Sequence, residues 1–322
     1  MSRVTSLTSM PEAQLNRWIK RIGLLLFVGV VAFAAFYAID RVRLPQATIA
    51  DQELIALEEA VRKDPADIAS RGKLADTYAA KERYEEAIAQ YSAIIDSGND
   101  LELAHFSRAR AYVEIQKYDE AVADYQKVIE IATPGEMANV DPLLEGAYYG
   151  LGEIYLTQGK SADAVAQLEK AVAIKRSDAD ALLLLGKAYA ANGDVDKAGA
   201  VLRNAVAFVP VGWVEPYQVM ADLYAKSGDA EHAAWANAMV LSQTGSADEA
   251  IAQLTPLAEG PAALDACVGL GLITETQGDL AAARGWYTRA LALDPENDAA
   301  RLGIGRVGAA TPAPSATTGS NG

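Results

Sequence analysis

Two histidines (His105 and His232), a single cysteine (Cys267) and the run Gly303-Ile-Gly-Arg-Val-Gly308 are the residues of this 322-residue chain whose types invite a chemical reading. Metal binding needs clustered donors. Neither histidine has a His, Cys or carboxylate partner at a metal-ligand spacing, so both read as packed or surface side chains. One cysteine excludes an intramolecular disulfide and a cysteine-based zinc cluster, and Cys267 falls at a helix-packing position that suits an inert thiol. The 303–308 run has the lettering of a dinucleotide-binding loop. Such a loop works only between a strand and a helix, where the helix N-terminus holds pyrophosphate, and no strand precedes this one. The carboxylate pairs Glu85-Glu86 and Asp119-Glu120 stand where second helices begin, and there negative charge complements the helix dipole. With no nucleophile elbow and no phosphate-binding loop, the chain reads as a non-enzyme without cofactor, metal or small-molecule substrate.

The formal charge of −15 is unevenly shared. Residues 1–43 carry Arg3, Arg17, Lys20, Arg21, Arg41 and Arg43 against Glu12 and Asp40, a balance of +4, so residues 44–322 carry −19. An acidic body repels nucleic-acid phosphates, which excludes nucleic acid as a partner and favours a solvated surface able to steer a basic one.

Residues Ile22 to Ile39 form an uncharged run of 18. As a helix it rises about 27 Å, close to the roughly 30 Å hydrocarbon core of a bilayer. Trp18 and Tyr37 stand where amphipathic rings favour the interface. The rival reading is a cleaved signal peptide, but residues 40–45 offer no small-x-small cleavage site, so an uncleaved anchor is favoured. Four basic residues before the run against two after it place residues 1–21 in the cytoplasm and the rest outside it, on the periplasmic or cell-surface side. The reverse topology is the alternative. Residues 40–49, with Pro45, read as a linker reaching at most about 36 Å.

The positions that must organise any surface recur every 34 residues. Ala179 to Pro210 shows the unit, with Leu185-Gly186, Tyr189, Ala198, Leu202, Ala205 and Pro210. The same register gives Leu74, Ala75, Tyr78, Ala87 and Tyr91, then Ala109, Tyr112, Ala121 and Tyr125. After nine extra residues it gives Leu151, Gly152, Tyr155, Ala164 and Leu168, and later Ala221, Tyr224 and Ala233, then Leu270, Gly271, Ala283, Tyr287 and Ala290. Small residues let paired helices approach, while the aromatic and leucine positions fill the gaps between them. Gly159, Gly193, Gly228, Gly245 and Gly278 suit left-handed turns between helices. The interval from Gly228 to Gly245 is only half a repeat, which predicts an extra helix or a break near 229–246. The predicted array covers 50–308, with a capping half repeat at 50–66, repeats from 68 and a closing helix at 297–307. A disordered small-residue tail is expected over 309–322.

Residues 68–308 resemble the tetratricopeptide-repeat (TPR) superfamily, with the half repeat before them extending the match. The resemblance implies an all-α, right-handed α-solenoid of TPR helix pairs, here with one N-terminal transmembrane helix. No repeat has Trp at its fourth position, where Arg71, His105, Tyr148, Leu182, Tyr217 and Cys267 stand. Family geometry also implies that first helices line a concave face, which places Phe106, Arg110, Val113, Tyr149, Glu153, Leu156, Leu183 and Lys187 at partner contacts. The carboxylate-clamp type of chaperone-tail binding is not implied, because Gly72 and Asp76 occupy its key positions. The resemblance implies proteins or extended peptides as partners. The anchored arrangement is similar to bacterial proteins that assist envelope protein assembly or c-type cytochrome maturation. A holding chaperone, an apocytochrome-binding factor and a permanent structural subunit of an envelope complex are the functional expectations.

Overall fold

The computed structural model describes residues 12–42, 49–98 and 102–310. Sixteen α-helices, one short 3-10 turn and no strand are found among the described residues. Residues 1–11, most of the expected linker (43–48) and the expected disordered tail from 311 lie outside them.

The chain divides into two compact units, Met1–Pro65 and Ala66–Gly322. In the first, α1 spans Glu12–Val42 and α2 spans Ile49–Lys63. From Gln14 to Tyr37, α1 is long and apolar enough to cross a membrane, and none of that stretch is buried. Leu25, Phe27 and Phe33 are each at least 66% exposed. In α2, Leu54 and Val61 are buried.

The second unit is a solenoid of helix pairs. They are α3 (Ile68–Ala80) with α4 (Tyr84–Asp96), α5 (Glu102–Glu114) with α6 (Tyr118–Ala132), and α7 (Pro142–Thr157) with α8 (Ser161–Ile174). There follow α9 (Ala179–Asn192) with α10 (Val195–Phe208) and α11 (Glu215–Ser227) with α12 (Ala230–Gln243). A single helix, α13 (Ala247–Leu257), comes before the last pair, α14 (Ala263–Thr276) with α15 (Leu280–Leu293), and α16 (Asp298–Ala310) ends the described chain. The nine additional residues of the third repeat form the connection between α6 and α7, which includes the 3-10 turn Ala138–Val140.

Local chemistry starts and stops these helices. Asp67, Asp141 and Asp178 accept hydrogen bonds from first-turn amides of α3, α7 and α9, pairing N–H groups that have no intrahelical acceptor. All five glycines of the interhelix turns take positive φ. In the first two repeats the same register is filled by Glu82 and Gln116, both near φ +60°.

Packing within a pair follows from one small residue facing one large one. A Cβ on Gly186 would stand 2.5 Å from Leu202 Cγ, and one on Gly271 would stand 2.6 Å from the Tyr287 ring. Ala87, Ala121, Ala164, Ala198 and Ala283 are fully buried on the facing helices, so those helix pairs pack at close range with no room for a larger residue.

At α13 the pairing rule changes. Ala250 and Leu254 of α13 are fully buried, in the register of a second helix, and α12 packs against α11, α13 and α14. This is why α12 buries a wide surface, from Ala233 through Trp235, Ala236 and Ala238 to Met239.

Candidate protein-binding groove

Glycines on α7 open the floor of a groove. A Cβ on Gly146 would meet the Phe106 ring at 2.8 Å, and one on Gly150 would collide with the Tyr125 ring. Without those atoms, Phe106 of α5 and Tyr125 of α6 pack edge to face, their centroids 5.9 Å apart, directly against the α7 backbone. Phe106 stays half-buried and keeps part of its ring at the surface.

Around this aromatic floor lies a cavity of about 250 Å³, lined by Phe106, Arg110, Val113, Tyr149 and Glu153 together with Glu114, Tyr125 and the two glycines. Five of the eight residues placed on the concave face from sequence therefore meet at one site. A second hollow of about 330 Å³ shares Arg110 and Glu114 with it and continues toward α3 and α4 through Asp76, Tyr84 and Tyr91. The two form one trough across the first helices of the first three repeats.

The other three predicted residues stand elsewhere. Leu183 occupies the same repeat position as Phe106 and Tyr149 but is only 7% exposed, and it joins the core that contains Leu202, Tyr217 and Met220. It packs the interior instead of facing a partner. Leu156 lies against the core of Leu168 and Tyr189, half-buried. Lys187 is tied to Glu215 across successive first helices by a 2.6 Å ion pair.

The trough is acidic around its aromatic side chains. Burial raises the Tyr149 hydroxyl, and the nearby carboxylates of Glu153, Asp180, Asp178 and Glu145 add to that, to about 12. Tyr125 is raised by burial, with Glu153 and Glu114 adding to the effect and Arg110 opposing it. Tyr91 donates a 2.6 Å hydrogen bond to Asp76 and stays protonated through burial and that bond. The exposed carboxylates Asp76, Glu114 and Glu153 attract cations. Tyr84 and Glu114 carry no signal in the sequence. Tyr91 and Tyr125, expected as interhelix filler, are buried in that role and also line the trough.

No group of three or more metal-ligating side chains exists among the described residues. His105 is buried and its Nδ1 lies 2.7 Å from Asp124, which also accepts two hydrogen bonds from Arg108 at 2.7 and 2.8 Å. Arg108 also donates to Ser92 at 2.9 Å, so this cluster joins α4, α5 and α6. Cys267 is fully buried, and burial pushes its thiol up.

Two tetratricopeptide-repeat family models match the chain, one over residues 55–102, 147–212 and 236–298, more than half of it, and the other over 100–177. The structure is similar to the C-terminal part of a TPR repeat-containing protein from Cytophaga hutchinsonii, at 15% identity and TM-score 0.52, covering 79% of this chain and 94% of that one. It is also similar to MamA from Desulfovibrio magneticus, at 21% identity and TM-score 0.50, covering 56% of this chain and 97% of that one. No curated protein matches it. At these identities the likenesses establish the fold.

Proposed function

Because the chain belongs to the tetratricopeptide-repeat family, we propose that it is a membrane-anchored adaptor whose trough across α3, α5 and α7 holds an extended basic segment of a protein partner outside the cytoplasm. One observation carries the reading: Phe106, Arg110, Val113, Tyr149 and Glu153, drawn from two repeats, line one open cavity with an aromatic floor and a carboxylate rim. Apolar pockets fix alternate side chains of an extended peptide, and the carboxylates select its charge. Anchoring is supported by α1, whose large apolar side chains are exposed along its length and need a non-aqueous surrounding. Tethering confines the trough to the membrane surface and raises its effective concentration for partners there. Within this proposal the adaptor holds envelope proteins without transforming them.

Photo-crosslinking from residues 106 and 149 in cells tests the groove. Capture of a partner from these positions, and not from convex-face probes at Glu120 or Lys170, supports it; capture only from the convex face overturns it. Protease added to spheroplasts tests the topology. Digestion of the solenoid is expected, and its protection would place the repeats in the cytoplasm.

A further inference from the structure

Exposed apolar side chains are sorted along the regular run of pairs from α3 to α12. Successive helices of such a stack run in opposite directions, so connections between pairs lie along one edge and turns within pairs along the other. Among the described residues of this run, the exposed large apolar side chains are Leu103, Met137, Val140, Phe208, Val209 and Val211. All six lie on the first edge. Leu103 stands in the first turn of α5, Met137 and Val140 lie between α6 and α7, and the other three close α10 and open its connection to α11. The opposite edge is polar, with Glu82, Lys117, Asp194 and Asp229 at its turns.

The connection from α10 to α11 is built as a fixed apolar projection. From Phe208 to Val214 (Phe-Val-Pro-Val-Gly-Trp-Val) it carries no charge. Its backbone is held from the end of α12: the Gly212 N–H donates to Gln243 Oε1 at 2.6 Å, and Gln243 Nε2 donates to the Pro210 carbonyl at 3.3 Å. The Val209 N–H donates to the Ala205 carbonyl, and Pro210 has no N–H to satisfy. Trp213 packs against the solenoid core. Backbone groups paired in this way are what a chain needs to enter a medium without water. Between the two apolar connections, that from α8 to α9 brings exposed Lys175 and Arg176, and the 3-10 turn Ala138–Val140 lies against α8. Exposed carboxylates on this stretch are Glu136, Asp180 and Glu215, the last ion-paired with Lys187.

We propose that this edge lies on the bilayer surface, with Phe208, Val209, Val211, Met137 and Val140 inserted at the boundary of headgroups and acyl chains and with Lys175 and Arg176 at lipid phosphates. The proposal rests on the reading of α1 as a membrane anchor. Only residues 43–67 separate α1 from α3, so an anchored chain keeps its solenoid beside the bilayer. A lipid surface fits better than a second copy or a partner protein, because the apolar side chains stand on separate connections with basic residues between them. That arrangement offers no continuous apolar face for a protein to cover, whereas lipids conform to each tip by itself. The trough across α3, α5 and α7 stays uncovered.

The test uses the full chain reconstituted in vesicles of phosphatidylcholine and phosphatidylglycerol. One new cysteine carries a fluorophore attached under native conditions, Cys267 being fully buried. Lipids with a nitroxide near the top of the acyl chain are expected to quench a label at Val211→Cys or Val140→Cys at least about threefold more than one at Lys117→Cys on the opposite edge. Phe208→Ser with Val209→Ser, both at exposed positions, should remove the excess quenching of the label at 211. A label at Val30→Cys on α1 reads the anchor separately. Quenching at 30 with none at 211 beyond the level at 117 overturns the edge assignment and leaves the anchor standing. Absence of quenching at both 30 and 211 overturns both readings. Quenching at 211 that survives the two serines overturns insertion by this connection.

Discussion

Replacing Gly186 by alanine sets two known effects against each other. In the interior of α9, alanine gains about 1 kcal/mol over glycine through helix propensity. The added methyl would stand 2.5 Å from Leu202 Cγ and 2.6 Å from its Cδ2, and Leu202 is fully buried, with no solvent to yield into. Overpacking of this kind costs about 1–3 kcal/mol, so Gly186→Ala should lower local stability by about 1 kcal/mol net. Combined with Leu202→Ala the obstruction is gone, and the same substitution should raise stability by about 1 kcal/mol over Leu202→Ala alone, a reversal of sign. Gly285 provides a control: it lies in the middle of α15 with nothing near its missing Cβ, and Gly285→Ala should gain about 1 kcal/mol in either background. Repeat arrays open locally, so the assay is native-state hydrogen exchange of the α9 and α10 amides in the four combinations. If Gly186→Ala increases protection with Leu202 present, or acts identically in both backgrounds, the small-against-large packing rule is wrong for this fold.

Glu275 gives a pH prediction. Burial raises its carboxyl, but hydrogen bonds from Arg306 and Tyr287 outweigh this and hold it below its ordinary value of 4.5. A depressed folded-state pKa means that the stabilisation is complete above 4.5 and is lost as pH falls through the folded value. Protection of the α16 amides should therefore drop on acidification below that point, and Glu275→Gln should remove the dependence. Charge reversal in the trough, Glu114→Lys with Glu153→Lys, should slow association of a basic peptide about tenfold at low ionic strength, with the effect fading at about 0.5 M salt in stopped-flow measurements. Cys267 should react with a disulfide reagent only as fast as the last repeats open, at least about a hundredfold slower than in the unfolded chain. Rapid labelling under native conditions would contradict its burial.

Recurrence at 34 residues was enough to locate the helix pairs, because Ala, Gly, Tyr and Leu positions act within one repeat and its neighbour. Turn glycines were readable in the later repeats. Glu82 and Gln116 were not, since the flanking helices impose the left-handed conformation there on side chains that do not advertise it. The concave-face assignment divides for a similar reason. Phe106, Tyr149 and Leu183 share a repeat position, yet the first two border the trough and the third is covered by core contacts with the next repeat. Gly146 and Gly150 carry no repeat signal, and their value is visible only when the Phe106 and Tyr125 rings are seen against the α7 backbone.

By itself the sequence determined what depends on spacing along one chain: the helical period, the paired packing, the apolar N-terminal helix, the acidic balance and the half-repeat interval near Gly245. Tertiary structure alone decided what depends on which distant surfaces meet. It turned Leu183 inward, joined two hollows through Arg110 and Glu114, and brought α16 onto α10 around Trp235 and Asp265. The physical reason is that a repeat encodes its contacts with near neighbours at fixed offsets. Closure across six helices has no such offset and arises from the summed rotations of every pair between them.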